Sequence, residues 1–337
     1  MEKGLQQQVF EKLKAEQNGS EIVSQLMDIL SLSRASVYKR MKNEIGLTLE
    51  EFEKIRDHFE LDLLPPKKVR PGQVIMHLPE KADDKDPILH FLRPIRHQLD
   101  ILAKNEDASV RFLAVSFPVF YTFLYPVLAL FKFLVYKNSV WIPSHAKIPP
   151  LAISSMARNQ EYINTFSAIR DLYGRIDSTE VWTSDFFQST INELKFYLEC
   201  NLFAEPSEAL VIMDKLRMCI ENISGMAEKG NKSIMTRHPE KEEGGRFSLF
   251  VNDSGHFGST ILALSGDIKQ VYLTYDQPNY LFSNDPVLFE DSRTWSKKVV
   301  DQSTPISDLG KMEKIKFFNQ IREKIKQERD AIESLVN

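Results

Sequence analysis

Cysteine is nearly absent from this chain. Its 337 residues include only Cys200 and Cys219, nineteen apart, with no CxxC and no metal-ligand pattern around them. A disulfide framework is therefore not expected, and a reducing, cytoplasmic setting is. An excess of charge is also missing: 43 Lys and Arg against 47 Asp and Glu leave a net charge of −4. Bulk attraction to polyanions is excluded, and any nucleic-acid surface must be local. Glycine is sparse, and "GHFGST" at 255–260 lacks both the Lys-Ser/Thr ending and the strand–helix context of a phosphate loop, so it reads as a hairpin turn.

The seven histidines show no HxxxH or HExxH spacing. His90 and His97 share a helix face without an acidic partner, the pattern of core or surface histidines. Ser254 and His256, two apart on a turn, are poorly placed as nucleophile and base, and no third member can be named. The expectation is no metal, no cofactor and no catalytic site, so no enzyme. The first residues, "MEKGLQQQVFEKLKAEQ", lack the apolar run of a signal peptide. Residues 112–136, "FLAVSFPVFYTFLYPVLALFKFLVY", have the length of a membrane span. Pro118, Pro126 and Lys132 interrupt them, and they read instead as a buried strand ending at proline, followed by a core helix over 119–137. No membrane partner is expected.

What is present concentrates near the amino terminus. Residues 1–70 carry 12 Lys and Arg against 12 Asp and Glu, yet Arg34, Lys39, Arg40 and Lys42 fall within nine residues. Leu5, Val9, Phe10 and Leu13 mark a first helix, ended by "QNGS". Ser20 caps a second, which carries Ile22, Val23, Leu26, Met27 and Leu30. After a three-residue turn, Ser33 caps a third helix running to about Asn43. Thr48 with Glu51 forms a capping box for a fourth, lined by Leu49, Phe52, Ile55 and Phe59. Two short helices joined by a tight turn, with one helix before and one after, make a helix-turn-helix unit whose second helix enters the major groove. Val37 and Met41 face inward, while Tyr38, Lys39 and Lys42 continue the outer face.

The ordered features Leu32-Ser33-Arg34, Tyr38-Lys39-Arg40 and Leu47-Thr48…Glu51 resemble the BetR-type variant of the lambda-repressor-like DNA-binding domain, over about residues 18–64. Ser31 stands at a turn position that is commonly glycine in that family. The resemblance implies a bacterial transcriptional regulator that binds double-stranded DNA, as a homodimer over paired half-sites. On this reading Arg34, Tyr38 and Lys39 lie closest to base edges, and Ser33, Ser36, Arg40 and Lys42 hold phosphates.

The fold class expected is α+β and mainly helical: a four-helix lambda-repressor-like domain at 1–64, a linker with a strand at 65–86, a helical domain at 87–240, and a small antiparallel β-meander plus carboxy-terminal helix at 241–337. Residues 150–228 read as almost wholly helical. "GRFSLFVND", "STILALS", "KQVYLTYD" and "NYLFSN" supply the meander. Phe318, Ile321, Ile325, Ile332 and Leu335 follow a 3-4 spacing for less than three heptads, so the last helix is expected to dock on its own domain, with a dimer seam as second reading. The aromatic-rich middle is read first as core and second as an apolar effector pocket. Two alternatives stand beside the regulator: a helix-turn-helix protein-interaction adaptor without DNA binding, and a small-molecule-binding or enzymatic carboxy-terminal region with an unassigned effector or protein partner.

Overall fold

The structure is a computed structural model that describes residues 4–16, 19–59, 73–78, 86–142, 148–240, 243–254, 257–307 and 311–336, without the side chains at 5, 8, 12, 14–16, 19–21 and 311. Of the linker read at 65–86, residues 65–72 and 79–85 lie outside this description, as do the break at 17–18, His145 and His256. Among its described residues, the strand expected there is a single antiparallel bridge from His77 to Phe282. Ser20, expected as a cap, falls inside the second helix, which begins at Gly19. The chain divides into two compact units, Met1–Gln73 and Val74–Asn337.

The first unit holds α1 (Leu5–Glu16), α2 (Gly19–Leu30), α3 (Arg34–Met41) and α4 (Leu49–His58). Val9, Phe10 and Leu13 of α1 meet Ile22, Val23, Leu26 and Leu30 of α2, with Val37 and Ile55 completing the core. Each helix contributes one apolar stripe too short to be stable alone, so tertiary burial holds all four.

The second unit is built on a seven-stranded mixed sheet, larger than the small meander expected. Its strands are β1 (Ser109–Ala114), β2 (Asp177–Trp182), β3 (Phe247–Val251), β4 (Thr260–Ser265), β5 (Ile268–Asp276), β6 (Asn279–Ser283) and β7 (Thr304–Pro305), in the order β6-β5-β4-β1-β2-β3-β7. β4, β5 and β6 do form an antiparallel meander. β3 leaves it and runs parallel to β2, which runs parallel to β1. Strands from before and after Lys241 thus share one sheet. The parallel core requires crossovers, and two are present. Between β1 and β2 lie α6 (Val119–Thr122), α7 (Pro126–Tyr136), α8 (Ile153–Met156) and α9 (Gln160–Arg175); between β2 and β3 lie α10 (Gln188–Glu199) and α11 (Glu208–Lys229).

The run at 112–136 resolves into the end of β1 and two helices in place of one. Pro126 sits in the first turn of α7, where its missing N–H costs nothing, and a π-helical turn follows at Lys137–Trp141. Lys132 is buried and ion-paired with Glu193. Among the described residues no helix is long and apolar enough to cross a membrane.

Both faces of the sheet are covered. Val110, Phe112, Trp182, Phe247 and Leu249 join the main core with α7, α9, α11 and α5 (Pro87–Leu102). Leu113 and Val181, on the other face, pack with Phe257 and with Val299 of α12 (Pro286–Asp301). The last helix, α13 (Lys311–Val336), buries Phe318, Ile321, Ile325 and Ile332 in that main core, its contacts falling on α10 and α11. It docks on its own unit, and Arg322–Glu221 (2.7 Å) and Arg329–Asp214 (3.1 Å) border the seam.

Candidate nucleic-acid interface

α2 and α3 are joined by Ser31, Leu32 and Ser33 alone. Ser31 takes φ +53°, and the Leu32 N–H returns to the Met27 carbonyl at 3.1 Å. This is the left-handed helix stop in which glycine is preferred, here filled by serine. Ser33, extended at φ −66° and ψ 152°, caps α3 by accepting the Ser36 N–H, and the two hydroxyls lie 3.0 Å apart. α3 ends the same way. Asn43 has φ +59°, the Glu44 N–H reaches the Lys39 carbonyl at 2.8 Å, and the Asn43 N–H reaches that of Arg40 at 3.0 Å. The helix is thus cut to eight residues by left-handed turns on both sides.

Within it Val37 is 1% exposed and Met41 packs on the same core, so the remaining face is open. Arg34, Tyr38, Lys39 and Lys42 lie on it, with the Arg34 guanidinium 5.9 Å from the centre of the Tyr38 ring. Of the seven residues expected to touch DNA, these four and Ser33 are exposed; Ser36 is half-buried, with its hydroxyl against that of Ser33.

Arg40 has a different place from the phosphate contact expected of it. Its side chain is 12% exposed and grips Glu51 with two bonds, Nε to Oε2 at 2.9 Å and Nη2 to Oε1 at 2.7 Å. The same Glu51 closes the capping box of α4: its carboxylate accepts the Thr48 N–H at 3.0 Å, while Thr48 Oγ1 accepts the Glu51 N–H at 3.1 Å. The Arg40 hydrogen bonds hold the Glu51 carboxyl below the usual carboxylate range. Arg40 therefore braces α3 against α4. Sequence reasoning assigned it by charge and proximity, and the eleven-residue reach to Glu51 became visible only when the fold set two helix ends side by side.

A second constellation, in the carboxy-terminal unit, escaped the sequence reading entirely. "DSTEVW", within the 150–228 stretch expected to be almost wholly helical, forms a central strand, and its period of two sends Ser178, Glu180 and Trp182 to one face. Glu180 is fully buried. Its Oε1 accepts from Tyr121 (2.5 Å), Tyr173 (2.6 Å) and Ser178 (2.9 Å), and its Oε2 accepts from the Trp182 indole (3.0 Å). Burial, and then the Glu180 charge, push both tyrosine hydroxyls well above their ordinary range. Lys232, also with no exposed surface, places Nζ 3.9 Å from the centre of the Tyr173 ring and has no hydrogen-bond partner. Burial draws its amine down to about 7. A Cβ on Gly244 would stand 2.3 Å from the Lys232 carbonyl carbon, so this backbone is closely packed. The cluster is a closed polar knot within an apolar core, and "DSTEVW", four polar residues followed by two apolar ones, carries no alternation that would have revealed it.

The aromatic-rich middle frames one crevice at the carboxyl end of β1, between Phe91, Phe117, Tyr136 and Tyr280. It spans about 380 Å³ including its open mouth, and Gln277 Nε2 crosses it to Ser116 Oγ at 2.9 Å. The enclosed part has room for little more than water, so it is not a ligand-sized effector pocket as it stands. Among the described residues no group of His, Cys, Asp and Glu is arranged to hold a metal ion. The chain matches no known protein family, no curated protein and no solved structure.

Proposed function

We propose that the amino-terminal unit is a DNA-reading head of the BetR-type, lambda-repressor-like kind, and that the chain is a bacterial transcriptional regulator acting as a cytoplasmic homodimer. One observation carries this reading: an eight-residue helix, opened by the Ser33 cap and stopped by left-handed Asn43, that buries Val37 and leaves Arg34, Tyr38, Lys39 and the C-cap Lys42 exposed. Arg34, Tyr38 and Lys39 read base edges, and Lys42 and the Ser33 and Ser36 hydroxyls hold phosphate. Arg40 is withdrawn from the contact set. The carboxy-terminal unit pairs two heads at a fixed spacing, and no catalytic step is involved.

Three exposed cations, Arg34 and Lys39 on α3 and Lys42 at its C-cap, give a small electrostatic term. The slope of log K against log salt for one head is about −2 to −3. Glu44, Glu50 and Glu53 are exposed in the same unit and oppose that term. The deciding experiment is selection from a randomised duplex pool by the full-length chain at one salt concentration, beside the Arg34→Ala/Lys39→Ala double variant. Enrichment of a two-fold symmetric site that the double variant loses supports the reading. No enrichment by the folded wild type sinks it.

The adaptor reading rests on a different observation. Leu49, expected on the packed stripe of α4, is instead 82% exposed at its start, and Ile45 and Tyr38 of the same unit are exposed as well. An apolar side chain so placed suits a protein surface better than a phosphate. Under that reading Leu49→Asp abolishes partner capture, and the double variant leaves DNA retention at background.

A further inference from the structure

The last turn of α3 and the segment that leaves it are held from outside by one side chain of α1. Gln6 Nε2 donates to the Arg40 carbonyl and to the Ile45 carbonyl, both at 2.8 Å, and Gln6 Oε1 accepts the Leu47 N–H at 2.8 Å. Both amide hydrogens and the amide oxygen are thereby used, and every partner is backbone. The carbonyl groups lie on either side of Asn43, the left-handed residue that stops the helix. Nothing in the residues that carry the family resemblance requires this clamp, because Gln6 precedes them by more than twenty positions.

We propose that Gln6 is a positioning residue for DNA recognition: it fixes the angle at which α3 meets the duplex and makes α1 an obligatory part of the reading head. This rests on the DNA-binding reading above. The physical argument is one of leverage. A short helix is aimed by its two ends. The entry of α3 is set by the Ser31–Ser33 turn, and its exit by Gln6 from α1 together with Glu51 from α4, through Arg40. Without Gln6, the Arg40 and Ile45 carbonyls and the Leu47 amide turn to water, so the cost to folding is modest. The exit segment is then free to shift, and base-edge contacts fail at displacements that phosphate contacts tolerate. Loss of Gln6 therefore removes discrimination between sequences more than it removes affinity for DNA as such.

The test uses the full-length chain with Gln6→Ala and Gln6→Met, the second keeping side-chain bulk while deleting every hydrogen bond. Two probes are titrated over a range of salt: the duplex that the wild type enriches from a random pool, and a random-sequence duplex of equal length. Circular dichroism at the assay temperature confirms that both variants are folded. The expected result is binding to the enriched duplex weakened roughly fivefold to tenfold, random-duplex binding within twofold of wild type, and an unchanged salt slope. A fold-only role would lower both affinities in parallel and keep their ratio. That outcome, or no change at either probe, overturns the positioning role and leaves the DNA-binding reading standing. A wild type that does not prefer any duplex overturns both.

Discussion

Arg40 meets Glu51 near the protein surface, where both side chains keep some contact with water, whereas Glu180 meets four donors with no exposed surface at all. The first pair links two helix ends through a bidentate contact whose strength water and salt reduce. The second anchors a strand at the centre of a sheet, where an unpaired donor has no solvent to turn to. The amino-terminal unit thus uses polar side chains to aim a helix, and the carboxy-terminal unit uses them to lock a core. Removal of one partner should therefore cost little stability in the first and much more in the second.

The largest break in that comparison is Glu180→Leu. It leaves the hydroxyls of Tyr121, Tyr173 and Ser178 and the Trp182 indole without their acceptor. The expected loss is about 3–5 kcal/mol. All three tryptophans, Trp141, Trp182 and Trp295, lie in Val74–Asn337, so denaturation followed by tryptophan fluorescence reports on this unit alone. A loss below about 1 kcal/mol would show that the knot does not hold the core.

Lys232→Met comes next and has a pH signature. The folded amine sits at about 7 against an ordinary 10.5, because of burial. As pH rises above 7 the folded chain gives up a proton that the unfolded chain keeps, so stability increases with pH. Glu180 and Asp177 oppose this by favouring the charged form, without overcoming burial. Between pH 7 and 9 wild-type stability should gain about 2 kcal/mol relative to the methionine variant. Equal pH dependence in the two proteins would refute the shifted amine.

The Arg40–Glu51 brace should yield less. Arg40→Ala should cost about 1 kcal/mol in the amino-terminal unit, read by amide exchange along α3. The Glu51 carboxyl is held below its ordinary range, so this contribution is present at neutral pH and fades as acid titrates the folded carboxyl. A brace of equal strength at pH 7 and at strongly acidic pH would exclude the ion pair as its source.

Ser31→Gly is the smallest change and has the opposite sign. A serine held at φ +53° carries strain that glycine does not. The variant should stabilise α2–α3 by roughly 1 kcal/mol, again by amide exchange. Destabilisation would mean that the serine side chain holds the turn.

Much of the local structure was legible before any fold was known. The Ser33 cap, the Thr48–Glu51 capping box and the buried stripe through Val37 each depend on residues within a turn or two of one another. The meander β4–β5–β6 was legible for the same reason, since its strands follow directly in sequence. β2 was not: "DSTEVW" carries Asp, Ser, Thr and Glu, which suit a loop until Tyr121 and Tyr173 arrive to satisfy the carboxylate. β3 was visible as a strand, but its parallel pairing with β2 across a crossover was not.

The sequence by itself determined where α3 and α4 begin and most of the apolar stripe that the first unit buries, because caps and periodicity act over a few residues. It also put the cations on α3. Only the tertiary structure decided which of those cations stay free. Arg40 is taken by Glu51 and its carbonyl by Gln6, contacts spanning 11 and 34 residues whose geometry exists only once α1, α3 and α4 share a core.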